Sequence, residues 1–272
     1  EWVQTSADAP FLASSTCSVA DFVHPRYRAI CEQIGQRPIF HRKQWEHVFI
    51  LGHLERAGLL GDGSRGLAFG VGSEPLPAAF AAAGSEICAT DAPPSIGHGS
   101  GWVDTNEYAD GLAQLRRDDL IDAATLARRV TYRVADMNSI PDDLEGFDFC
   151  WSACCFEHLG SLQHGVNFVI DSVERCLRPG GVAVHTTELN LSSDDDTFES
   201  PDLSIYRRRD IEELVDTLRS RGHEVEPFRI APDSHHLDHV VDVPPYHHDP
   251  HIKLELAGYV VTSVGLVITR GS

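Results

Sequence analysis

Short apolar runs alternate with amphipathic stretches along most of the chain, and this alternation limits the folds open to it. Strands that alternate with helices form parallel sheets covered by helices on both faces. We therefore predict a doubly wound α/β fold with a mostly parallel, seven-stranded sheet. The last run, residues 258–268, has no helix before it and is expected to pair antiparallel at or near a sheet edge. The other runs of strand length read GLAFGV, EICATD, VTYRVAD, FDFCWS, VAVHTTEL and EVEPFRI.

A single domain with additions accounts for the length of the chain. Its 272 residues, 42 % of them apolar, can bury a sizeable core. We expect an N-terminal arm and helical extension in residues 1–60, followed by the α/β domain in residues 61–272. A His-rich connection over residues 231–257 stands where a simple hairpin would suffice. Because connections this long are usually functional or disordered, we interpret it as an inserted lid.

The charge balance restricts the partners of the chain. Asp and Glu number 41 against 22 Lys and Arg, a formal net charge of -19 with histidine neutral. Such a surface repels phosphate backbones and anionic lipid, so we expect no nucleic-acid or membrane partner and favour a small-molecule substrate. A homo-oligomer stays an open alternative. The seven cysteines form no CxxC pair, and neither a signal peptide nor a membrane span is evident, which favours a cytoplasmic location.

The first predicted strand ends in a turn that carries Gly70 and Gly72, and the second ends at Asp91. Glycines let a ligand approach the backbone closely, and an acid at that place can accept hydrogen bonds from two ribose hydroxyls. Both features suit NAD as well as S-adenosylmethionine. Glu74 favours S-adenosylmethionine over NAD. A carboxylate beside the pyrophosphate of NAD is unfavourable, whereas S-adenosylmethionine carries an ammonium and a sulfonium and no phosphate.

Five motifs stand in order along residues 64–190, and together they resemble the class I S-adenosylmethionine-dependent methyltransferases. They read LAFGVGSE, ATD, VADMNSIP, FDFCWSACCFEHL and LRPGGVAVHTTE. The resemblance implies that the two glycines line the methionine and ribose, that Asp91 binds the ribose hydroxyls, and that Asp136 with Met137 holds the adenine. With the end of the fourth strand added, the predicted cofactor-binding residues are Gly70, Gly72, Glu74, Asp91, Asp136, Met137 and Ser152.

Two residues depart from the family pattern. Ala68 stands where the family commonly has Asp or Glu, and Glu74 stands where it commonly has glycine. The departure at Ala68 removes the usual acid near the methionine ammonium. Glu74 is a candidate replacement for it.

Methyl transfer to a hydroxyl or a protonated amine requires removal of a proton, so we searched the strand ends for a base. Three candidates for a catalytic role are His158 after the fourth strand and His185 and Glu188 in or just after the fifth. The alternative for His158 is helix capping or packing, and the alternative for His185 is an interior position. The predicted substrate-binding residues are Glu157, His236, Tyr246 and His251.

The histidines of residues 231–257 also suggest a divalent metal. His235 and His239 lie one helical turn apart, with Asp233, Asp238 and Asp242 close by in sequence. No metal-binding motif of the family is evident among them. We therefore favour a solvated polar lid, with a metal as the second interpretation.

The sequence thus predicts S-adenosylmethionine-dependent methyl transfer to a small polar acceptor. O-methylation of a sugar-like or other specialised metabolite comes first, and N-methylation of a small molecule or peptide second. Two other classes stay open. A non-catalytic partner subunit with a degenerate donor site would explain the changes at Ala68 and Glu74, whereas an NAD-dependent oxidoreductase is disfavoured by Glu74 and Pro75.

Overall fold

The computed structural model describes residues 5–94 and 109–272. Its N-terminal region contains three helices, α1 (Val19–Phe22), α2 (Pro25–Gln33) and α3 (Arg42–Arg56). Helix α3 is buried along most of its length. Its Trp45 indole N–H donates a hydrogen bond to the Asp21 carboxylate at 2.8 Å, which ties α3 to α1.

The predicted fold class is confirmed, with a central sheet of nine strands among the described residues. The strand order is β3-β2-β1-β4-β5-β9-β8-β7, and β6 pairs with the end of β9. The first five strands are parallel, and β9 pairs antiparallel with β5. The strands are β1 (Arg65–Phe69), β2 (Glu86–Asp91), β3 (Val130–Val134), β4 (Phe147–Ala153), β5 (Leu177–Asn190), β6 (Glu224–Val225), β7 (Val241–Asp242), β8 (Lys253–Leu256) and β9 (Tyr259–Thr269).

The two strands beyond the predicted seven come from residues 231–257. Strand β8 pairs antiparallel with the start of β9, and β7 pairs with β8. An unpaired strand edge exposes backbone N–H and C=O groups, and β8 provides partners for those at the start of β9, residues 259–261. The segment is also tied to α3, because the Arg42 backbone N–H donates to the His251 carbonyl at 2.9 Å.

Helices cover both faces of the sheet, as a doubly wound fold requires. The sheet separates two hydrophobic cores, one on each face. Successive residues of β1 point to opposite faces, so Ala68 belongs to one core and Leu67 and Phe69 belong to the other. The first core contains side chains of α3, α4 and α5, and the second those of α6 and α7. These helices are α4 (Leu76–Ala82), α5 (Ala123–Arg129), α6 (Leu162–Asp171), which continues as a π-helical turn (Ser172–Cys176), and α7 (Arg208–Ser220).

Within residues 5–94 and 109–272, no helix combines the length and the apolar character that crossing a membrane requires.

Candidate active site

A cavity of about 480 Å³ lies beyond the carboxyl ends of β1, β2 and β4. Its volume is within the range of small-molecule sites, about 300–1,000 Å³. In an open parallel sheet this is where ligands bind, because the loops after the strands diverge there. The turns after β1 and β3 and the end of β4 form one wall, and polar side chains of α3 form another.

The turn after β1 brings bare backbone to the cavity. Gly70 and Gly72 have φ angles of 61° and 46°, in the left-handed region that favours glycine. A Cβ atom at Gly70 would lie 2.7 Å from the Cys155 Sγ, so a side chain does not fit there. The left-handed φ angle and the contact with Cys155 together require glycine at position 70, and the turn that it forms lines the cavity.

Asp91 joins this turn to the end of β2. Its carboxylate is only 3 % exposed and accepts three backbone N–H groups, from Gly72 at 2.9 Å, Ala109 at 3.0 Å and Ala92 at 2.8 Å. Burial raises the pKa of Asp91, and the three N–H donors oppose that effect. The carboxylate is thus fixed in the cavity wall, where ribose hydroxyls could donate to its remaining lone pairs.

Glu74 lines the same cavity and is 9 % exposed. Its Oε1 accepts a hydrogen bond from the Trp151 indole N–H at 2.6 Å, and its Oε2 lies 4.0 Å from the His47 Nε2. Burial is the main reason that the pKa of Glu74 is raised to about 8, and the nearby Asp91 carboxylate adds to the shift. A neighbouring cation would favour the ionised form.

Asp136 and Met137 line the cavity on the side of β3. The Asp136 carboxylate accepts the Asn138 backbone N–H at 2.8 Å, which fixes the turn after β3. Six of the predicted cofactor-binding residues therefore meet in one cavity, and their roles stay predictions: Gly70, Gly72, Glu74, Asp91, Asp136 and Met137.

His158 lines the cavity just after β4. Its Nδ1 lies 2.6 Å from the Asp202 carbonyl oxygen, which can only accept, so Nδ1 carries the proton. In the neutral ring, the basic nitrogen is then Nε2. The geometry is that of a histidine whose ring orientation and tautomer are fixed by the backbone.

His185 and Ser152 lie behind the cavity, in the second core. The Ser152 hydroxyl lies 2.9 Å from the His185 Nδ1, and the Ser172 hydroxyl lies 2.9 Å from its Nε2. His185 is fully buried, and burial lowers its pKa to about 3. The predictions of a catalytic base at His185 and a cofactor contact at Ser152 therefore have no support in this geometry. The interior alternative fits His185, with hydroxyl groups as its partners.

Glu157 and Glu188 are also buried rather than part of the cavity lining. Glu157 accepts the Thr187 hydroxyl at 3.0 Å, and burial raises its pKa. Glu188 accepts from the Arg42 guanidinium at 2.5 Å, and the same guanidinium donates to Glu46 at 3.3 Å. Glu188 thus belongs to a buried ion-pair network under α3. This position does not favour the predicted catalytic role, because Oε1 is already paired with a cation and Glu188 does not line the cavity.

The three predicted substrate contacts in residues 231–257 lie elsewhere, since no residue of that fully described segment lines the cavity. The His251 Nδ1 bonds to Asp242 at 2.6 Å, the Tyr246 hydroxyl donates to the Glu255 carbonyl, and His236 is exposed in a short 3-10 turn. The segment extends the sheet instead of closing this cavity. Among the described side chains, no group of three or more His, Cys, Asp or Glu is placed to hold a metal ion.

Several residues of the cavity wall were missed by the sequence analysis. Lys43, Glu46 and His47 project from α3, and Lys43 Nζ lies 3.8 Å from the Glu46 carboxylate. A signal for them existed, because polar residues at i, i+3 and i+4 share one face of a helix. Gln36 and Arg117 complete the missed set.

Comparison with known proteins gives one family match. A family model described as a methyltransferase domain matches residues 67–185. No curated protein sequence matches the chain. Similar solved structures include a candidate sarcosine dimethylglycine methyltransferase from Galdieria sulphuraria, at 15% identity over 84% of each chain and a TM-score of 0.49. An S-adenosylmethionine-dependent methyltransferase from Clostridium acetobutylicum has 13% identity over 85% of this chain and 92% of its own, with a TM-score of 0.48.

A third similar structure is the phosphoethanolamine N-methyltransferase 2 of Haemonchus contortus in complex with S-adenosyl-L-methionine. It has 20% identity over 74% of this chain and 45% of its own, with a TM-score of 0.43. These structural similarities are distant. The match of residues 67–185 and the order of the motifs therefore carry the family assignment.

Proposed function

Since the chain is a class I S-adenosylmethionine-dependent methyltransferase, with its methyltransferase domain at residues 67–185, we propose that it methylates a hydroxyl group of a small polar molecule, such as a sugar-like or other specialised metabolite. The observation that carries this proposal is a single cavity lined by the glycine turn, Asp91 and His158. The family assignment leaves no support for an NAD-dependent oxidoreductase or a non-catalytic subunit.

The described residues fit the donor. Gly70 and Gly72 bring a turn with left-handed φ angles to the cavity, and Asp91 offers a buried carboxylate to the ribose hydroxyls. Asp136 and Met137 would hold the adenine on the side of β3. When bound, the donor supplies an electrophilic methyl group on its sulfonium. The protein therefore has two tasks, to orient the acceptor and to receive its proton.

We assign the removal of that proton to His158. The Asp202 carbonyl holds its Nδ1–H, so Nε2 is the site that would accept the proton of an acceptor hydroxyl as the oxygen gains the methyl group. The proton then resides on the imidazolium, which can return it to solvent after the product leaves. This role requires an acceptor bound in the part of the cavity between His158 and α3.

A specific observation favours N-methylation as the second candidate. Glu46 lines the cavity, and its Oε2 lies 3.8 Å from the Lys43 Nζ and is buried without a hydrogen bond among the described residues. A buried carboxylate oxygen that accepts no hydrogen bond suits an amine or ammonium acceptor, which could donate to it. The net charge of -19 also favours cationic molecules over anionic ones.

The test is formation of S-adenosylhomocysteine during incubation with matched panels of hydroxyl and amine acceptors. We expect turnover with a hydroxyl acceptor, and we expect His158→Ala to lower it by about 10²–10⁴-fold while S-adenosylhomocysteine binding stays unchanged. His164→Ala is the matched control, because that histidine is exposed on α6 and does not line the cavity. Turnover with amines alone would favour the second candidate, and full activity of His158→Ala would refute the proposed base.

A further inference from the structure

Glu74 is a buried carboxyl group that faces the donor cavity from a position where the family commonly has glycine. The acid that the family commonly places on the first strand is absent here, because Ala68 occupies that position and is fully buried. Glu74 follows Gly72 by two residues, and its backbone N–H donates to the Val71 carbonyl at 3.1 Å. The carboxyl group is therefore fixed to the same turn that approaches the donor.

Trp151 sets the direction of the Glu74 side chain. Its indole N–H donates to Oε1 at 2.6 Å, while the indole itself is fully buried on β4. The ring lies edge-on to Phe80 at 4.9 Å and stacks against Phe149 at 5.9 Å. Because these contacts immobilise the indole, Oε1 is held and Oε2 is left toward the cavity and His47.

The described residues give Glu74 no strong cationic partner. Its ion-pair neighbour is His47 at 4.0 Å, and burial lowers the pKa of His47 to about 4, so that ring is neutral near pH 7. Lys43 is paired with Glu46 at 3.8 Å. A buried carboxyl group without a cation is costly to ionise, and a bound cation would remove that cost.

We propose that Glu74 binds the α-ammonium group at the methionyl end of the donor, and that Trp151 is the residue that positions it. The inference rests on the donor site described above, because Asp91 at the ribose and Glu74 share one cavity and only the methionyl end of the donor carries an ammonium. It is independent of the acceptor. Glu74 thus replaces the acid that Ala68 removes.

The test compares two ligands that differ only at the methionyl end. S-adenosylhomocysteine carries the ammonium and carboxylate, and 5′-methylthioadenosine keeps the adenosine and thioether without them. We expect Glu74→Gln to weaken S-adenosylhomocysteine about tenfold to a hundredfold, the range for a hydrogen bond to a charged group, and to leave methylthioadenosine unchanged. Trp151→Phe should produce a smaller loss for the same ligand only, and Glu86→Gln, an exposed residue at the start of β2, should change neither.

Proton release gives a second readout that a merely structural role of Glu74 would not move. The wild-type protein should release close to one proton when S-adenosylhomocysteine binds at pH 7, because a carboxyl group with a pKa raised to about 8 ionises beside the ammonium. The release should vanish in Glu74→Gln. The wild-type protein and Glu74→Gln share the other charged or titratable groups around this position, which are Asp91 on β2, Cys155 after β4, and Lys43, Glu46 and His47 on α3.

The outcomes distinguish a failure of the Glu74 proposal from a failure of the donor site. Equal losses for both ligands, or unchanged binding of S-adenosylhomocysteine and unchanged proton release in Glu74→Gln, would overturn the proposal for Glu74. Binding of neither ligand by the wild-type protein would instead overturn the donor site itself, and the Glu74 proposal with it. Thermal unfolding of each variant in the absence of ligand separates a loss of affinity from a loss of folded protein.

Discussion

Replacement of Asp91 by Asn should distinguish two roles of this carboxylate, stabilisation of the surrounding backbone and binding of the ribose. In the structure, Oδ2 accepts the Gly72 and Ala109 N–H groups, and Oδ1 accepts that of Ala92. The Asn side chain can place its oxygen toward the first two, which leaves its amide nitrogen against the Ala92 N–H. One buried donor then loses its acceptor, at a cost of about 1–3 kcal/mol in unfolding free energy.

The same substitution removes the negative charge from the ribose contact. A hydrogen bond to a charged group contributes about 1.5–3 kcal/mol, so S-adenosylhomocysteine should bind about tenfold to a hundredfold more weakly. Asp91→Ala is a poorer test, because it deprives all three backbone N–H groups of their acceptor and unravels the turn as well.

Calorimetric titration measures the affinity of Asp91→Asn, and urea unfolding measures its stability. Asp122→Asn is the control, since Asp122 is an exposed helix cap that accepts the Thr125 N–H at 2.9 Å. It should cost about 1 kcal/mol or less in stability and leave binding unchanged. Wild-type affinity in Asp91→Asn would refute the placement of the ribose.

The remaining predictions concern the buried groups around the site. His185→Phe should preserve turnover per folded molecule. Between about pH 6.5 and pH 4, the unfolding free energy of the wild-type protein should fall as the pH falls, and in His185→Phe this fall should be smaller by up to about 1.4 kcal/mol per pH unit. The wild-type protein loses stability as the pH falls because the pKa of His185 is lowered to about 3 in the folded protein. Between about pH 6.5 and pH 4, the unfolded chain therefore binds a proton that the folded protein does not bind. Glu188→Ala should cost about 3 kcal/mol by urea unfolding, since it removes one partner of the buried Arg42. Glu212→Ala, which breaks the exposed pair with Arg208, should cost less than about 1 kcal/mol.

The donor side of the cavity could be predicted from the sequence because it depends on local features. Each strand of a parallel sheet ends on the same edge, so residues that directly follow the strands converge whatever their loops do. Gly70, Gly72, Asp91 and Asp136 are all of this kind. The rule does not apply to Ser152, because it lies within β4, one residue before its end, and its hydroxyl bonds to His185 inside the core.

The acceptor side depends on contacts between distant parts of the chain, and the sequence pattern did not contain them. Lys43, Glu46 and His47 reach the cavity only because α3 packs across the sheet, which no local spacing specifies. Residues 231–257 were expected over the site. Instead, β8 pairs with the start of β9 and β7 pairs with β8, so the segment extends the edge of the sheet.

The most direct test of the donor site is a crystal structure of the protein grown with S-adenosylhomocysteine. We expect the ligand in the cavity beyond β1, β2 and β4, with its ribose hydroxyls bonded to Asp91, its adenine beside Met137 and its ammonium bonded to Glu74. A ligand bound elsewhere, or bound in this cavity with its ribose away from Asp91, would contradict this expectation.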